Sequence, residues 1–292
     1  MSETILKFGI PKGSLEEATI SLFARSGWKI SMRARNYFPE INDPEIGARL
    51  CRPQEMPRYV AEGVLDAGLT GKDWILETQS QVQVVSDLIY SKVSSRPARW
   101  VLAVAGDSPY QRPEDLQGRR IATEITGLAE RYFAAKNIPV KVEYSWGATE
   151  AKVVEGLADA VVEVTETEAT IRAHGLRIID EVLVTNTQLI ANPAAWNDPV
   201  KRRKIEQINL LLQGALKAET LVGLKMNVEG VRLPTVLALL PSLNSPTISA
   251  LRDSGWHALE TVVSVRTVRD LIPRLVEAGA QGIIEYPLNK VI

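Results

Sequence analysis

The sequence predicts an α/β protein made of two α/β lobes in series, followed by a C-terminal βαββαβ module. Three observations lead there. Short apolar runs alternate with segments of helical period from residue 5 to residue 191, the mark of strands interleaved with helices. Two such strings follow one another, with a break at about Ser91. After an amphipathic segment at 199–221, the order strand, helix, strand, strand, helix, strand matches a ferredoxin-like plan.

In the first string, residues 5–10 read as a strand and 14–24 as a helix, with Leu15, Ala18 and Leu22 on one face. Ser14 stands at the N-cap position with Glu17 three residues on, a capping-box spacing, and Gly27 ends the helix. A helix at 56–63, a strand at 66–70 and a short helix at 72–77 follow. The second string gives strands at 100–105, 120–124, 141–144 and 160–164. Between them lie helices at 127–136, capped by Thr126, and at 149–157. A helical turn at 169–173 ends at Gly175, and strands at 176–179 and 182–191 lead out of this unit. The expected division is 1–91 with 181–221 as the first lobe and its connecting helix, 92–180 as the second lobe, and 222–292 as the C-terminal module.

Composition excludes several classes of chemistry. The chain has 292 residues, and 34 Lys+Arg nearly balance 35 Asp+Glu, so no global field favours nucleic acid or an acidic membrane. The basic start of the 199–221 helix (Lys201, Arg202, Arg203, Lys204) reads as a solvated face. A single cysteine, Cys51, leaves no internal disulfide framework and no thiolate zinc site. The two histidines, His174 and His257, sit in unrelated segments and form no ligand cluster. No signal peptide or spanning run is apparent, so the expected compartment is the cytoplasm.

Four stretches can carry chemistry. Pro11-Lys12-Gly13-Ser14 joins a strand end to a helix start, where an ammonium and free N–H groups suit an anion; an ordinary glycine turn is the alternative. Asp66–Asp73 carries Gly68 and Gly71 at a strand end, for close approach of a ligand or for tight packing. Thr165-Glu166-Thr167-Glu168-Ala169-Thr170 offers three hydroxyls at a strand-to-helix loop, but its two carboxylates oppose a phosphate unless a metal intervenes. Arg49 and Arg52 stand at a strand end, where a guanidinium can clamp phosphate or remain on the surface.

In order along the chain, these stretches resemble the long form of the ATP phosphoribosyltransferase family, the first enzymes of histidine biosynthesis. The resemblance is carried by Ile10-Pro11-Lys12-Gly13-Ser14-Leu15, Arg52-Pro53, Asp66–Asp73 and Gly118-Arg119-Arg120-Ile121-Ala122-Thr123. It continues through Gly147-Ala148-Thr149-Glu150, the stretch 157–170 and Ser245-Pro246-Thr247, and so covers essentially the whole chain. It implies a two-lobed, periplasmic-binding-protein-like catalytic part with the active site between the lobes, and an ACT-like C-terminal domain. It also implies Mg²⁺-dependent attack of N1 of ATP on C1 of phosphoribosyl pyrophosphate, with feedback inhibition by L-histidine and assembly as a homo-oligomer, dimer or hexamer.

Carried over by position, Glu163 faces ribose hydroxyls, Thr167, Ala169 and Thr170 surround the 5′-phosphate, and Thr165 is a further substrate-binding position. Lys12, Gly13, Arg52, Asp73 and Glu150 fall on positions that contact nucleotide or ribose. Asn227, Ser245, Thr247 and Gly282 fall on the histidine-binding region. No covalent nucleophile is implied, and Mg²⁺ rides mainly on substrate phosphates, with Glu166 and Glu168 as the candidate protein carboxylates. The loop departs from the family pattern: Glu168 replaces the commoner Gly, and Glu166 a frequent Ser. A cytoplasmic small-ligand sensor, or a catalytically weakened regulatory paralogue on the same two-lobed fold, is the alternative.

Overall fold

Two passages of the chain from lobe to lobe set the architecture. The computed structural model describes residues 5–32, 37–90, 97–241, 245–253 and 255–292; the expected lobe break at residues 91–92 lies outside them. By its contacts the chain forms one unit of Met1–Ala24 with Trp28–Asn209, and a second of Arg25–Gly27 with Leu210–Ile292.

The first unit holds both lobes, each built on a five-stranded sheet among the described residues. In the first lobe the strands run Ile46–Cys51, Leu6–Pro11, Ala67–Gly71, Thr187–Ala191, Gln83–Leu88. In the second they run Lys141–Tyr144, Arg120–Thr123, Ala160–Thr165, Ala98–Ala105, Leu176–Thr185. Counted within its own lobe, each sheet has the order second, first, third, crossing strand, fourth. In both, the first three strands are parallel and the crossing strand is antiparallel to both its neighbours. The two lobes therefore share one plan, although the sequence shows no internal repeat.

Local chemistry explains the elements. Strand Leu6–Pro11 buries Leu6, Phe8 and Ile10, helix Glu16–Ser26 buries Leu22 and Phe23, and the Phe8 and Phe23 rings meet at 5.6 Å. Each such side chain contributes roughly 1.5–3 kcal/mol on burial. The helix start differs from the capping box read in the sequence: Glu16, not Glu17, accepts the Gly13 N–H, at 3.2 Å. Gly9 and Gly68 face Met56, whose sulfur would lie 2.2 and 2.6 Å from a Cβ at those positions. Gly68 is thus a packing glycine. In the second lobe Trp100, Leu102, Ile121, Phe133 and Val162 fill one face of the sheet, and Val101, Ala103, Ala122, Val161 and Ile171 the other.

The second unit carries a four-stranded antiparallel sheet in the order Thr247–Ala250, Trp256–Ser264, Leu221–Glu229, Gln281–Pro287. Numbered along the chain this is 2-3-1-4, the ferredoxin-like order. Leu221–Glu229 alternates in its second half, placing Leu224, Met226 and Val228 in a core shared with Val268, Leu271 and Leu275 of helix Val265–Glu277.

One cap comes from an unexpected place. Helix Thr126–Ala135 begins at Thr126 itself and has no side-chain cap from its own N-cap residue, Ile125. Its free N–H groups are met from the other lobe: Gly127 and Leu128 donate to the two carboxylate oxygens of Glu77, at 3.0 and 2.7 Å. Arg131 donates to the Leu76 carbonyl at 2.5 Å and completes the clasp. Glu77→Ala should destabilise the chain by about 1–2 kcal/mol in urea unfolding, as loss of an N-cap does. Glu77→Gln, which keeps an acceptor but no charge, should fall between; a loss below about 0.3 kcal/mol for the alanine variant would refute the clasp.

Candidate functional site

An open cleft of about 260 Å³ lies between the two lobes of the first unit. From the first lobe it takes Lys12, Gly13 and Ser14, the turn after strand Leu6–Pro11, and Arg52, just after strand Ile46–Cys51. These two strands are neighbours, and the Lys12 N–H donates to the Cys51 carbonyl at 2.8 Å, so the ladder brings Lys12 and Arg52 to one sheet end. Gly13, at φ 108°, makes the turn that only glycine adopts readily. The Lys12 ammonium lies 4.3 Å from the ring centroid of Tyr37.

From the second lobe come Glu124, Val164 and Glu166, with Trp100 on the wall. Glu124 was not singled out by the sequence. It follows directly on strand Arg120–Thr123, one residue past the Gly118–Thr123 motif, and burial raises its carboxyl above the usual range. Its signal was only its place at the end of a buried parallel strand, where α/β sheets gather ligands.

Asp73 also borders the cleft, but its oxygens are committed. Oδ2 accepts the Trp100 indole N–H at 2.6 Å and Oδ1 the Trp74 backbone N–H at 3.0 Å, while the Asp73 N–H donates to Thr185 Oγ1 at 3.2 Å. Burial raises its pKa against the pull of these bonds. Trp74 meets Trp100 edge-on at 6.4 Å. Asp73 therefore ties the lobes together where the chain crosses.

The remaining second-lobe candidates form a neighbouring group that does not line the cleft. Glu163 projects from strand Ala160–Thr165 toward Glu150 and Thr149 at the start of helix Thr149–Val154. Burial, then the charge of Glu150, push the Glu163 carboxyl from 4.5 up to about 7. Thr165, Thr167, Ala169 and Thr170 lie on the loop into helix Ala169–Ala173. At Glu168 the backbone keeps the left-handed conformation that glycine favours, φ 62°, and the Glu168 N–H donates to Thr165 Oγ1 at 2.8 Å. Its carboxylate does not face an empty loop: Arg99 and Arg172 hold it at 2.6 and 2.8 Å. Those contacts, Arg172 first, lower its pKa. Among the described residues no group of three or more His, Cys, Asp or Glu is arranged to hold a metal.

In the second unit, Asn227, Thr247 and Gly282 line one hollow together with Lys225, Ser249 and Glu260. Ser245 lines an adjoining one, which also reaches Thr247. Gly282 has φ 57°, and a Cβ there would lie 3.8 Å from the Asn227 amide nitrogen.

The raised Glu163 carboxyl has a stability consequence. The folded chain holds this proton at a pH where the unfolded chain has released it, so stability falls as pH rises from 4.5 to about 7. The full cost is roughly 3 kcal/mol above that window. Glu163→Gln should remove this slope, matching the parent in acid and exceeding it above neutrality. Urea unfolding across the window checks this, and parallel curves for the two proteins would refute it.

Comparison with known proteins identifies the family. The family described as ATP phosphoribosyltransferase matches residues 52–214, and the HisG C-terminal domain matches 218–290. An ATP phosphoribosyltransferase of Nitratidesulfovibrio vulgaris is 74% identical over 289 residues, covering 99% of each chain. One from Geotalea uraniireducens is 54% identical over 288 residues, again covering 99% of each. Among solved structures, the ATP phosphoribosyl transferase (HisG:HisZ) complex from Thermotoga maritima aligns with a TM-score of 0.61 at 30% identity, over 72% of this chain and 97% of that one. With a match to both its catalytic and its C-terminal parts, the chain belongs to the ATP phosphoribosyltransferase family.

Proposed function

We propose that the chain transfers the 5-phosphoribosyl group of phosphoribosyl pyrophosphate to N1 of ATP, the first step of L-histidine biosynthesis, in the cleft between its two lobes. The observation that carries this reading is the convergence on that cleft of Lys12, Gly13 and Arg52 with Glu124 and Glu166. In the reaction the N1 lone pair of adenine forms a bond to C1 of the ribose as the bond from C1 to pyrophosphate breaks. Positive charge develops at the ribose and negative charge on the leaving group, so placement and charge complementarity do the work.

Lys12 and Arg52 supply cations for phosphate oxygens, Arg52 in the forked geometry that suits them. In the group beside the cleft, we assign Glu150 and Glu163 to the ribose hydroxyls, and Thr165, Thr167, Ala169 and Thr170 to the 5′-phosphate. Trp74 and Trp100 wall the cleft and limit water. The donor set fits Mg²⁺ carried on substrate phosphates, which needs one or two protein carboxylates and water; Glu124 and Glu166 are the cleft carboxylates able to serve. An ion held there would supply positive charge to offset the negative charge developing on the pyrophosphate leaving group. Glu168, committed to two arginines, is not among these carboxylates. The hollow at Asn227, Thr247 and Gly282, with Ser245 beside it, is the proposed L-histidine site. No described helix is long and apolar enough to cross a membrane, and the compartment that fits these substrates is the cytoplasm. The assembly we expect is a homo-oligomer, dimer or hexamer.

With ATP, phosphoribosyl pyrophosphate and Mg²⁺, the purified chain should form the N1-ribosylated nucleotide, followed by its near-ultraviolet absorbance. Chelation of Mg²⁺ should abolish turnover, and Arg52→Ala should raise KM about tenfold or more. No product at any metal concentration would overturn the reading. L-Histidine should slow the same reaction, and Asn227→Ala should relieve that inhibition. A rate indifferent to millimolar-range histidine would remove the regulatory part alone.

A further inference from the structure

The Thr165–Thr170 loop is closed by an ion cluster that the reaction outlined above does not use. Arg99 stands on the crossing strand Ala98–Ala105, directly opposite Thr165 in the ladder. Its guanidinium reaches Glu168 with Nη2 at 2.6 Å and Glu181 with Nη1 at 3.2 Å. Arg172, one turn beyond Glu168, takes the other Glu168 oxygen at 2.8 Å. One carboxylate thus joins two guanidinium groups beside three threonine hydroxyls. It does so from a strained position: Glu168 is one of four non-glycine residues with positive φ among the described residues. That conformation is unfavourable for a residue with a Cβ. The strain is held by the Thr165 bond to the Glu168 N–H and by the two arginines.

A carboxylate shared between two guanidiniums has the charge sign and the forked hydrogen-bond pattern of a phosphate. None of the three side chains is sequestered: Arg99 is 36%, Arg172 75% and Glu168 27% exposed. Solvent-accessible pairs of this kind contribute little individually and exchange readily. Arg99 has a second anchor in Glu181, which keeps its guanidinium at the loop when Glu168 lets go.

We propose that Glu168 is an internal counter-anion standing in for substrate phosphate, and that Arg99, with Arg172 in support, is a phosphate-binding residue of the loop. Binding of phosphoribosyl pyrophosphate is then an exchange: the 5′-phosphate takes the guanidiniums and the Glu168 carboxylate swings to water. This rests on the reading that the loop receives the 5′-phosphate. Exchange of one anion for another keeps the local charge balanced between free and bound states. It therefore weakens substrate affinity and flattens its dependence on salt, relative to a loop with free arginines.

The test compares Glu168→Gln and Glu168→Gly with the parent chain, by calorimetric binding of ribose 5-phosphate at low and high salt. Both variants should bind roughly twofold to tenfold more tightly at low salt, with a steeper loss of affinity as salt rises. Adding Arg99→Ala to Glu168→Gln should cancel the gain. Weaker or unchanged binding in Glu168→Gln overturns the proposal. A gain in the glycine variant alone also overturns it, because relief of backbone strain then explains the effect. A gain that survives loss of Arg99 overturns the assignment of that residue. Ribose 5-phosphate binding is read without turnover, so a chain inactive toward ATP would refute the proposed reaction while leaving this measurement decisive for the exchange.

Discussion

A buried carboxylate at the crossing between the lobes is the constraint on which the two-lobed unit depends. Removing an ionised group from water costs several kcal/mol unless its oxygens find donors. Asp73 finds them in the Trp100 indole, the Trp74 backbone N–H and the Thr185 hydroxyl. Trp100 belongs to the strand that enters the second sheet, and Thr185 ends the strand that leaves it. Asp73 is satisfied only when both passages of the chain are in register. The same arrangement walls the cleft, because Trp74 and Trp100 are at once packing partners and lining residues. The fold and the site are closed by one set of hydrogen bonds.

Charge is handled locally throughout. The chain as a whole is almost neutral, at −1, so attraction for highly anionic substrates has to come from single side chains placed at strand ends. Lys12 and Arg52 reach the cleft because parallel strands Leu6–Pro11 and Ile46–Cys51 finish side by side. The second lobe answers with carboxylates of unequal character. Glu163 is pushed upward by burial and by Glu150, while Glu168 is pulled downward by two arginines. Acids five positions apart thus titrate in opposite directions, and each environment traces to named neighbours rather than to overall charge.

Much of this was legible in the chain itself, and the exceptions have a common cause. The alternation of strands and helices, the lysine-bearing turn and the ferredoxin-like module follow from periodicity and from residues near in sequence. Helix ends were harder. Thr126 has the chemistry of a cap, but the N–H groups it would serve are taken by Glu77, fifty residues away. Gly68 has the look of a ligand-approach glycine, and only the position of Met56 shows that packing demands it. Glu124 carries no motif, and its importance appears once two sheets face each other across the cleft. At Glu168 the replacement of a glycine was visible, whereas its two guanidinium partners, one from a distant strand, were not. Local rules read local partners; contacts between lobes belong to the tertiary fold.

The shared strand order bears on how the chain is made. In the first sheet, Thr187–Ala191 lies between Ala67–Gly71 and Gln83–Leu88, so that sheet stays open until residue 191 has emerged. The strands of the second sheet all lie between residues 98 and 185, and can close before it. The later lobe is thus able to finish ahead of the earlier one, reversing the usual amino-to-carboxyl order of folding on the ribosome. At ordinary elongation rates the wait from the end of strand Gln83–Leu88 to residue 191 lasts roughly 5 to 20 s. During that interval the nascent first lobe presents two unpaired strand edges to the cell, separated by the slot that its own last strand will fill.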